Sequence, residues 1–487
     1  MDNQVEGADE GRAKTIAELS DDEAGAWDAA LSAKDRRWRL EQHCWIKDKR
    51  GAIRQIGMLK RGQQKLLKLI EKLRADGGPV RVAALKDRKV GTSTLIEGDM
   101  LCEVLDRELD AIVIAHDKES AKFIRDICKR YYEHYDLEKP PLAKSNANEL
   151  RFAGHSGFIE VHTANVKGST RSRTPQYVHA SESAHWQRGS ETAVALMQAV
   201  APVEGTTVIH ETTANGFDAF FHPLWKGAYD YCRVTWTENE ARGTKELEPT
   251  VEVQDARKWN GWVPLFIGVL EDEDCLLEIR TEEERSGIEQ TLDDYERHLT
   301  EVKGAPLEYI KFRRYAIPNL CQGSVEVYNQ EYPETPELAF IASGSPRFSR
   351  EKLMMMPVET GRKGRLEEIE RAWRKDVHFR EDKGGDLVVF REPVRGHRYA
   401  IGCDSAEGKD AGSSVAPGLI PSPDASVAIV IDCDDGGRQV ATLAGQISEE
   451  NLVSPLAMLG RWYQNAFVVI EPNSTGKHVA IALPPPP

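Results

Sequence analysis

The reading of the chain turns on "AALKDRKVGTSTL", Ala83 to Leu95. An apolar stretch, "VRVAALK", runs into a basic turn, and a Gly-Thr-Ser-Thr start opens the helical pattern "TLIEGDMLCEVL". Strand, turn and helix in that order build the phosphate loop G-x-x-x-x-G-K-[ST]. Its backbone amides and helix N-terminus cradle phosphates, its lysine neutralises them, and its Ser/Thr holds a metal ion. Laid on this chain, Gly91 takes the second glycine, Ser93 the metal-binding hydroxyl, and Thr92 the place of the lysine. Lys86 stands where the first glycine would be. With Arg88 and Lys89 beside it, Lys86 can bring the missing positive charge from the opposite end of the loop. The same residues also describe an ordinary helix start, so the loop alone leaves both readings open.

The context narrows them. After the loop helix come a buried strand, "DAIVIAH", a helix, "KESAKFIRDICKRYYEHY", and further strands, "GFIEVHTAN", "TPQYVHAS" and "GTTVIHETT". Alternation at this pitch predicts a mostly parallel sheet covered on both faces, an α/β fold, with its site at the carboxyl ends of the strands. "YVHASESAHW" ends in Ser181 and Glu182, where an ATPase places an acidic metal contact and the base that activates water. "VIHETTANGF" ends in Thr212, Thr213 and Asn215, groups placed to sense a γ-phosphate. "WVPLFIGVL" and "TLDDYERHLTEV" read as part of a helical lid, and the turn-rich "ASGSPRFSR" as a linker.

Composition bounds the rest. Forty per cent hydrophobic and 29% charged residues over 487 positions describe a globular chain of two or three domains. The net charge of -15 gives no global attraction to nucleic acid or anionic membrane, so a DNA contact must be a local basic surface. No apolar run approaches the ~18 to 20 residues of a membrane span, and the acidic N-terminus is no signal peptide. The cytoplasm is the simplest expectation. The eight cysteines are scattered without a CxxC or Cys/His cluster, which predicts buried free thiols in a reducing compartment rather than structural zinc. Trp27, Trp38 and Trp45 near the start read as helix packing.

From about residue 55 to 480 the chain resembles the large terminase subunits of tailed bacteriophages, which package DNA into empty capsids. "LKDRKVGTST" resembles their deviant phosphate loop, with the lysine at its start. The resemblance implies an ASCE-type P-loop ATPase that binds ATP through Lys86, Arg88, Lys89, Gly91, Thr92, Ser93 and Thr94, with Mg²⁺ on Ser93 and Glu182 as catalytic base. "HASESAHW" departs from the pattern, since Ser181 stands where many members carry a metal-binding Asp. "ETTANG", with Thr212, Thr213 and Asn215, resembles the coupling motif. Gln64 is similar in placement to the adenine-contacting glutamine, and Gln63 is an equal candidate. Tyr328, Glu331, Pro333, Ala339 and Phe340 in "VEVYNQEYPETPELAFIASGSPRF" resemble the bridge between motor and nuclease.

A second domain follows from near residue 350. After the charged helix expected at "RLEEIERAWRK" come the strands "DLVVF", "RYAIGCDSA", "ASVAIVIDCDD", "RQVATLAGQI" and "NAFVVIEP", a hairpin-rich mixed sheet. Two of them end in Asp404 and Glu471. Two-metal phosphodiester hydrolysis needs carboxylates converging from neighbouring strands, and pairing these two strands would unite the acids. The resemblance implies a ribonuclease H-like nuclease with Asp404 and Glu471 as catalytic metal ligands for Mg²⁺ or Mn²⁺, Asp424 and Asp410 as further ligands, and Asn473 and Gly476 shaping the turn. It places a third acid beyond Pro487, so the nuclease is expected to be C-terminally truncated.

The expected organisation is an N-terminal helical extension (1–58), the P-loop motor with its lid (59–345), a linker and lead-in hairpin (346–395) and the nuclease (396–487). The function implied is ATP-driven translocation of double-stranded DNA into procapsids with endonuclease cutting of concatemers. Its partners are portal protein, a small terminase subunit and further copies in a ring, and its place is the host bacterial cytoplasm, transiently at the portal. The alternatives are a helicase-like or remodelling ATPase, and a non-catalytic DNA- or capsid-binding protein with degenerate sites.

Overall fold

The structure is a computed structural model that describes residues 5–6, 13–14, 21–48, 50–146, 148–164, 174–241, 244–340, 355–356, 359–371, 374–406, 425–472 and 474–483. The chain divides into two compact units, Met1–Met355 and Met356–Pro487.

The first unit is built on an eight-stranded sheet. Its strands are β1 (Val80–Lys86), β2 (Asp110–Ala115), β3 (Leu142–Ser145), β4 (Glu149–Phe152), β5 (Phe158–Thr163), β6 (Tyr177–Ser181), β7 (Thr207–Thr212) and, after a hairpin β8 (Cys232–Ala241) with β9 (Thr244–Val253), β10 (Val263–Ile267). The sheet order is β10-β1-β7-β6-β2-β5-β4-β3. The first six are parallel and the last two antiparallel. Residues in β1, β6 and β7 are buried on both faces, which is why they read as near-continuous apolar runs. In this order β7 lies between the loop strand and the strand of Ser181.

One expectation changes here. "WVPLFIGVL" supplies β10, a strand of the main sheet beside β1, rather than part of a lid. The run Val263–Leu265 is fully apolar in character and buried, the signature of a parallel strand that no periodicity separates from a buried helical turn. The helix expected in the same lid does form, at Asp294–Glu301, held by an Asp293–Glu296 capping box.

Helices α1 (Asp21–Lys34), α2 (Arg36–His43), α3 (Arg61–Ala75), α4 (Thr92–Arg107) and α5 (Lys118–His134) cover the sheet. Amphipathic α3 buries Leu66, Leu67, Leu69 and Ile70, each worth about 1.5–3 kcal/mol against exposure. Leu40 and Cys44 join the same core. Arg36 and Arg39 bind acids of α4 and its end, Glu103 at 2.7 Å and Asp106 at 2.6 Å respectively. Residues 36–46 therefore pack onto the core of the first unit.

In the second unit the strands are β11 (Arg362–Arg371), β12 (Arg374–Glu381), β13 (Leu387–Val389), β14 (Tyr399–Asp404), β15 (Ser426–Asp432), β16 (Arg438–Gly445) and β17 (Phe467–Ile470), ordered β12-β11-β13-β16-β15-β14-β17. The helix expected at "RLEEIERAWRK" is instead a hairpin arm, β11 paired antiparallel with β12. Leu366 lies opposite Phe379, both packing on the core, and the cross-strand pair Arg380–Glu367 lies at 3.0 Å. Those cross-strand pairs outweigh the high helix propensity of Glu and Arg. β14, β15 and β16 are antiparallel neighbours, and a helix at Glu449–Trp462 returns the chain so that β17 lies parallel to β14. The sheet thus carries three antiparallel strands and a fourth that pairs in parallel with the first of them.

Candidate active site

Lys86 is the last residue of β1 and is 4% exposed. The turn after it bends through Lys89 and Gly91, both left-handed, at φ 66° and 89°. Gly91 then caps α4, whose first turn carries Thr92, Ser93 and Thr94. A Cβ on Gly91 would lie 2.9 Å from Nε2 of Gln63, which donates to the Gly91 carbonyl at 2.9 Å. Gln63 thus seats the loop. Gln64 instead donates to the Leu59 carbonyl at 2.6 Å. Thr94 offers its carbonyl to Tyr131 Oη at 2.8 Å.

The lysine does not point into empty solvent. Its Nζ lies 2.9 Å from Glu182 Oε1 and 3.4 Å from Glu211 Oε2. Burial works against its charge, but the two carboxylates outweigh it and raise its pKa. Glu182 follows β6 with φ 48°. Its other oxygen accepts from the Thr213 amide at 3.2 Å and the Thr212 hydroxyl at 3.3 Å. The rest of the sequence-predicted coupling group meets the same turn. Asn215 donates to the Ala184 carbonyl at 3.1 Å, and Thr213 Oγ1 lies 3.1 Å from His185 Nε2. Loop lysine, strand-end glutamate and coupling segment are brought together.

Arg88 turns another way, pairing with Glu331 at 2.8 Å while its amide donates to the Glu331 carbonyl at 2.9 Å. Lys89 is exposed. The described part of the segment expected to bridge the domains, residues 325–340, lies in the first unit. Tyr328 is buried with its hydroxyl 2.9 Å from that of Tyr309, the Pro333 carbonyl accepts from the Val269 amide at 3.0 Å, and Ala339 and Phe340 join the core around Phe221 and Trp225.

The sequence motifs assign no role to Glu211. It is completely buried, inside β7 rather than at its end. It accepts from Thr92 Oγ1 at 2.9 Å, Ser93 Oγ at 2.8 Å and Ser181 Oγ at 2.9 Å, with His179 Nε2 at 3.3 Å. Burial opposes its ionisation, yet Lys86 and His179 hold its pKa far below the ordinary carboxylate range. The available signal was a charged residue within the apolar run "VIHET", since an acid there must be paired. Next to the loop, Asp87, Asp272 and Cys275 are, among the described residues, the one group of three ligating side chains within 4.8 Å; Lys60 Nζ lies 3.1 Å from Asp272.

In the second unit, Asp404 ends β14 and Glu471 follows β17. The strands pair in parallel with Cys403 opposite Ile470, and the Glu471 amide donates to the Cys403 carbonyl at 2.9 Å. Both acids are exposed and emerge side by side at one end of the sheet. Gly476 lies in the following helix, Ser474–Ala482. Asp410, Asp424 and Asn473 lie outside the described residues. Of the eight cysteines, all free, seven are buried and Cys433 is exposed. No described helix is long and apolar enough to cross a membrane.

No family model and no curated protein matches the chain. Among solved structures it is similar to the large terminase ATPase domain of Thermus phage P74-26, with 14% identity over 58% of this chain and 99% of that one and a TM-score of 0.32. It is also similar to the large terminase of bacteriophage HK97, with 14% identity over 89% of this chain and 72% of that one and a TM-score of 0.40. Part of it is similar to the magnesium-bound large terminase nuclease of thermophilic phage G20c, with 23% identity over 21% of this chain and 47% of that one and a TM-score of 0.16. The functional reading therefore stands on the geometry of the loop and the strand ends.

Proposed function

We propose that this chain is an ATP-driven translocase of double-stranded DNA, of the kind found in large terminases, with metal-dependent endonuclease chemistry in its second unit. The observation that carries the reading is the contact of Lys86 with Glu182 at 2.9 Å, at the carboxyl ends of β1 and β6 in a P-loop-ordered sheet. A basic loop before a helix is common. A buried loop lysine paired with the acid on the strand two places away is what a phosphate site and its catalytic base require.

In this arrangement Lys86 is held in reserve by Glu182 and Glu211. A triphosphate seated on the amides of Gly91 to Ser93 offers Lys86 a more highly charged partner, and Glu182 is released to orient and deprotonate the attacking water. Because Thr212 and Thr213 bond Glu182, and Asn215 bonds its turn, a shift of Glu182 moves the coupling segment directly. The oxygen donors at the start of α4 suit a hard divalent cation, and Ser93 is the residue that would hold Mg²⁺. When bound, that ion neutralises charge on the phosphates. In the second unit Asp404 and Glu471 would hold Mg²⁺ or Mn²⁺. The partners proposed are duplex DNA, portal protein, a small terminase subunit and other copies of this chain, in the host cytoplasm.

The test is ATP-dependent displacement of a triplex-forming strand from intact duplex DNA. Displacement without strand separation supports the translocase. Unwinding of the duplex points to a helicase, and DNA binding without ATP hydrolysis to a binding protein.

A further inference from the structure

We propose that Glu211, a residue buried within a strand, is the acidic partner of the nucleotide-bound divalent cation, taking over the task that Ser181 cannot perform. The proposal rests on the ATP-site reading above.

β6 and β7 pair in register with Ser181 opposite Glu211, so the two side chains are neighbours on one face, and Ser181 Oγ donates to Glu211 at 2.9 Å. A glutamate is one methylene longer than an aspartate. From the adjacent strand it reaches across to the helix start that a short acid at position 181 would face. Two hydroxyls there already point at it, Thr92 at 2.9 Å and Ser93 at 2.8 Å. Because Ser93 gives its proton to Glu211, its oxygen lone pairs are left for a cation on the loop side. That is the hydrogen-bond pattern by which an ATPase acid orients the metal-binding hydroxyl.

A purely structural role explains less. Hydroxyls can be satisfied by a neutral amide without the cost of desolvating a charge. Here the chain keeps a fully buried carboxylate and surrounds it with Lys86 at 3.4 Å and His179 at 3.3 Å. His179 is itself fixed by buried Glu97 at 2.5 Å, whose other oxygen accepts from Cys128 at 2.6 Å. The row Cys128–Glu97–His179 braces Glu211 from behind, as outer hydrogen bonds brace groups at metal sites.

The experiment measures ADP binding by calorimetry to the full chain, in EDTA and in Mg²⁺, with Mn²⁺ binding followed by electron paramagnetic resonance. With one competitor for Lys86 weakened, Glu211→Gln is expected to bind metal-free ADP at least as tightly as the wild type does while losing the metal-dependent gain in affinity and about 10- to 100-fold of Mn²⁺ affinity. Adding Ser181→Asp to Glu211→Gln is expected to restore both, and adding Ser181→Asn is not. The Asp and Asn double variants differ only in charge, so they decide the matter even if the single variant does not fold. A full metal-dependent gain in Glu211→Gln, or equal behaviour of the two doubles, overturns the assignment. A wild type that binds no nucleotide at all removes the ATP-site reading itself, a distinguishable failure.

Discussion

Neutralising Glu182 separates binding from hydrolysis. Its carboxylate lies 2.9 Å from Lys86 Nζ, and the two side chains are 27% and 5% exposed. ATP must displace this contact to gain the lysine. A hydrogen bond between charged groups contributes roughly 1.5–3 kcal/mol net, which for a partly solvated pair is best taken at the lower end. Glu182→Gln keeps the shape but weakens the competitor, so ATP is expected to bind about 10-fold tighter. Lys86 stays compensated through Glu211 at 3.4 Å, so the variant should fold. Loss of the base lowers turnover by about 10² to 10⁴. Both quantities are measurable on one preparation, affinity by competition with a fluorescent nucleotide and turnover by phosphate release with DNA present. Weaker ATP binding together with turnover near the wild-type rate would refute the reasoning.

Further expectations concern the rest of the chain. Gly91→Ala places a Cβ on a residue at φ 89° and 2.9 Å from Gln63; it should lose about 1–2 kcal/mol of stability, read by denaturant unfolding, and weaken nucleotide binding. His210 faces away from Glu211, among Trp186, Phe220 and Trp262, with neither ring nitrogen hydrogen-bonded. Burial pushes its pKa down from 6.5 to about 3. The unfolded chain then binds a proton that the folded chain refuses, so stability falls as pH drops from about 6.5 towards 3. His210→Phe should flatten that acid limb in thermal melts and raise stability at neutral pH; an unchanged acid limb would count against the assignment. Asp404→Asn is expected to abolish Mn²⁺-dependent nicking of plasmid without altering ATP hydrolysis, which persistent nicking would contradict.

Much of the first unit was legible because parallel strands buried on both faces read as apolar runs, and because a glycine before a Thr-Ser pair marks a helix start. Lys86, Glu182 and Thr213 fall at strand ends, where chain order alone places them together. Glu211 escaped because it sits one residue inside its strand, where only a three-dimensional network of hydroxyls, His179 and Lys86 gives a carboxylate meaning. β10 was hidden by its brevity. The β11–β12 hairpin was hidden by Glu- and Arg-rich composition that favours a helix locally and loses to pairing across the hairpin. Asp404 and Glu471 emerged as a pair because parallel pairing of two apolar runs aligns their carboxyl ends.

The most direct test of the central claim is ATP binding and DNA-stimulated hydrolysis by the wild type, Lys86→Ala and Lys89→Ala, each shown by circular dichroism to be folded. If the loop's cation sits at its start, the wild type hydrolyses ATP, Lys89→Ala remains active, and Lys86→Ala loses about 10²-fold or more of turnover together with most of its affinity. A Lys86→Ala protein that binds and hydrolyses ATP as the wild type does would contradict the account.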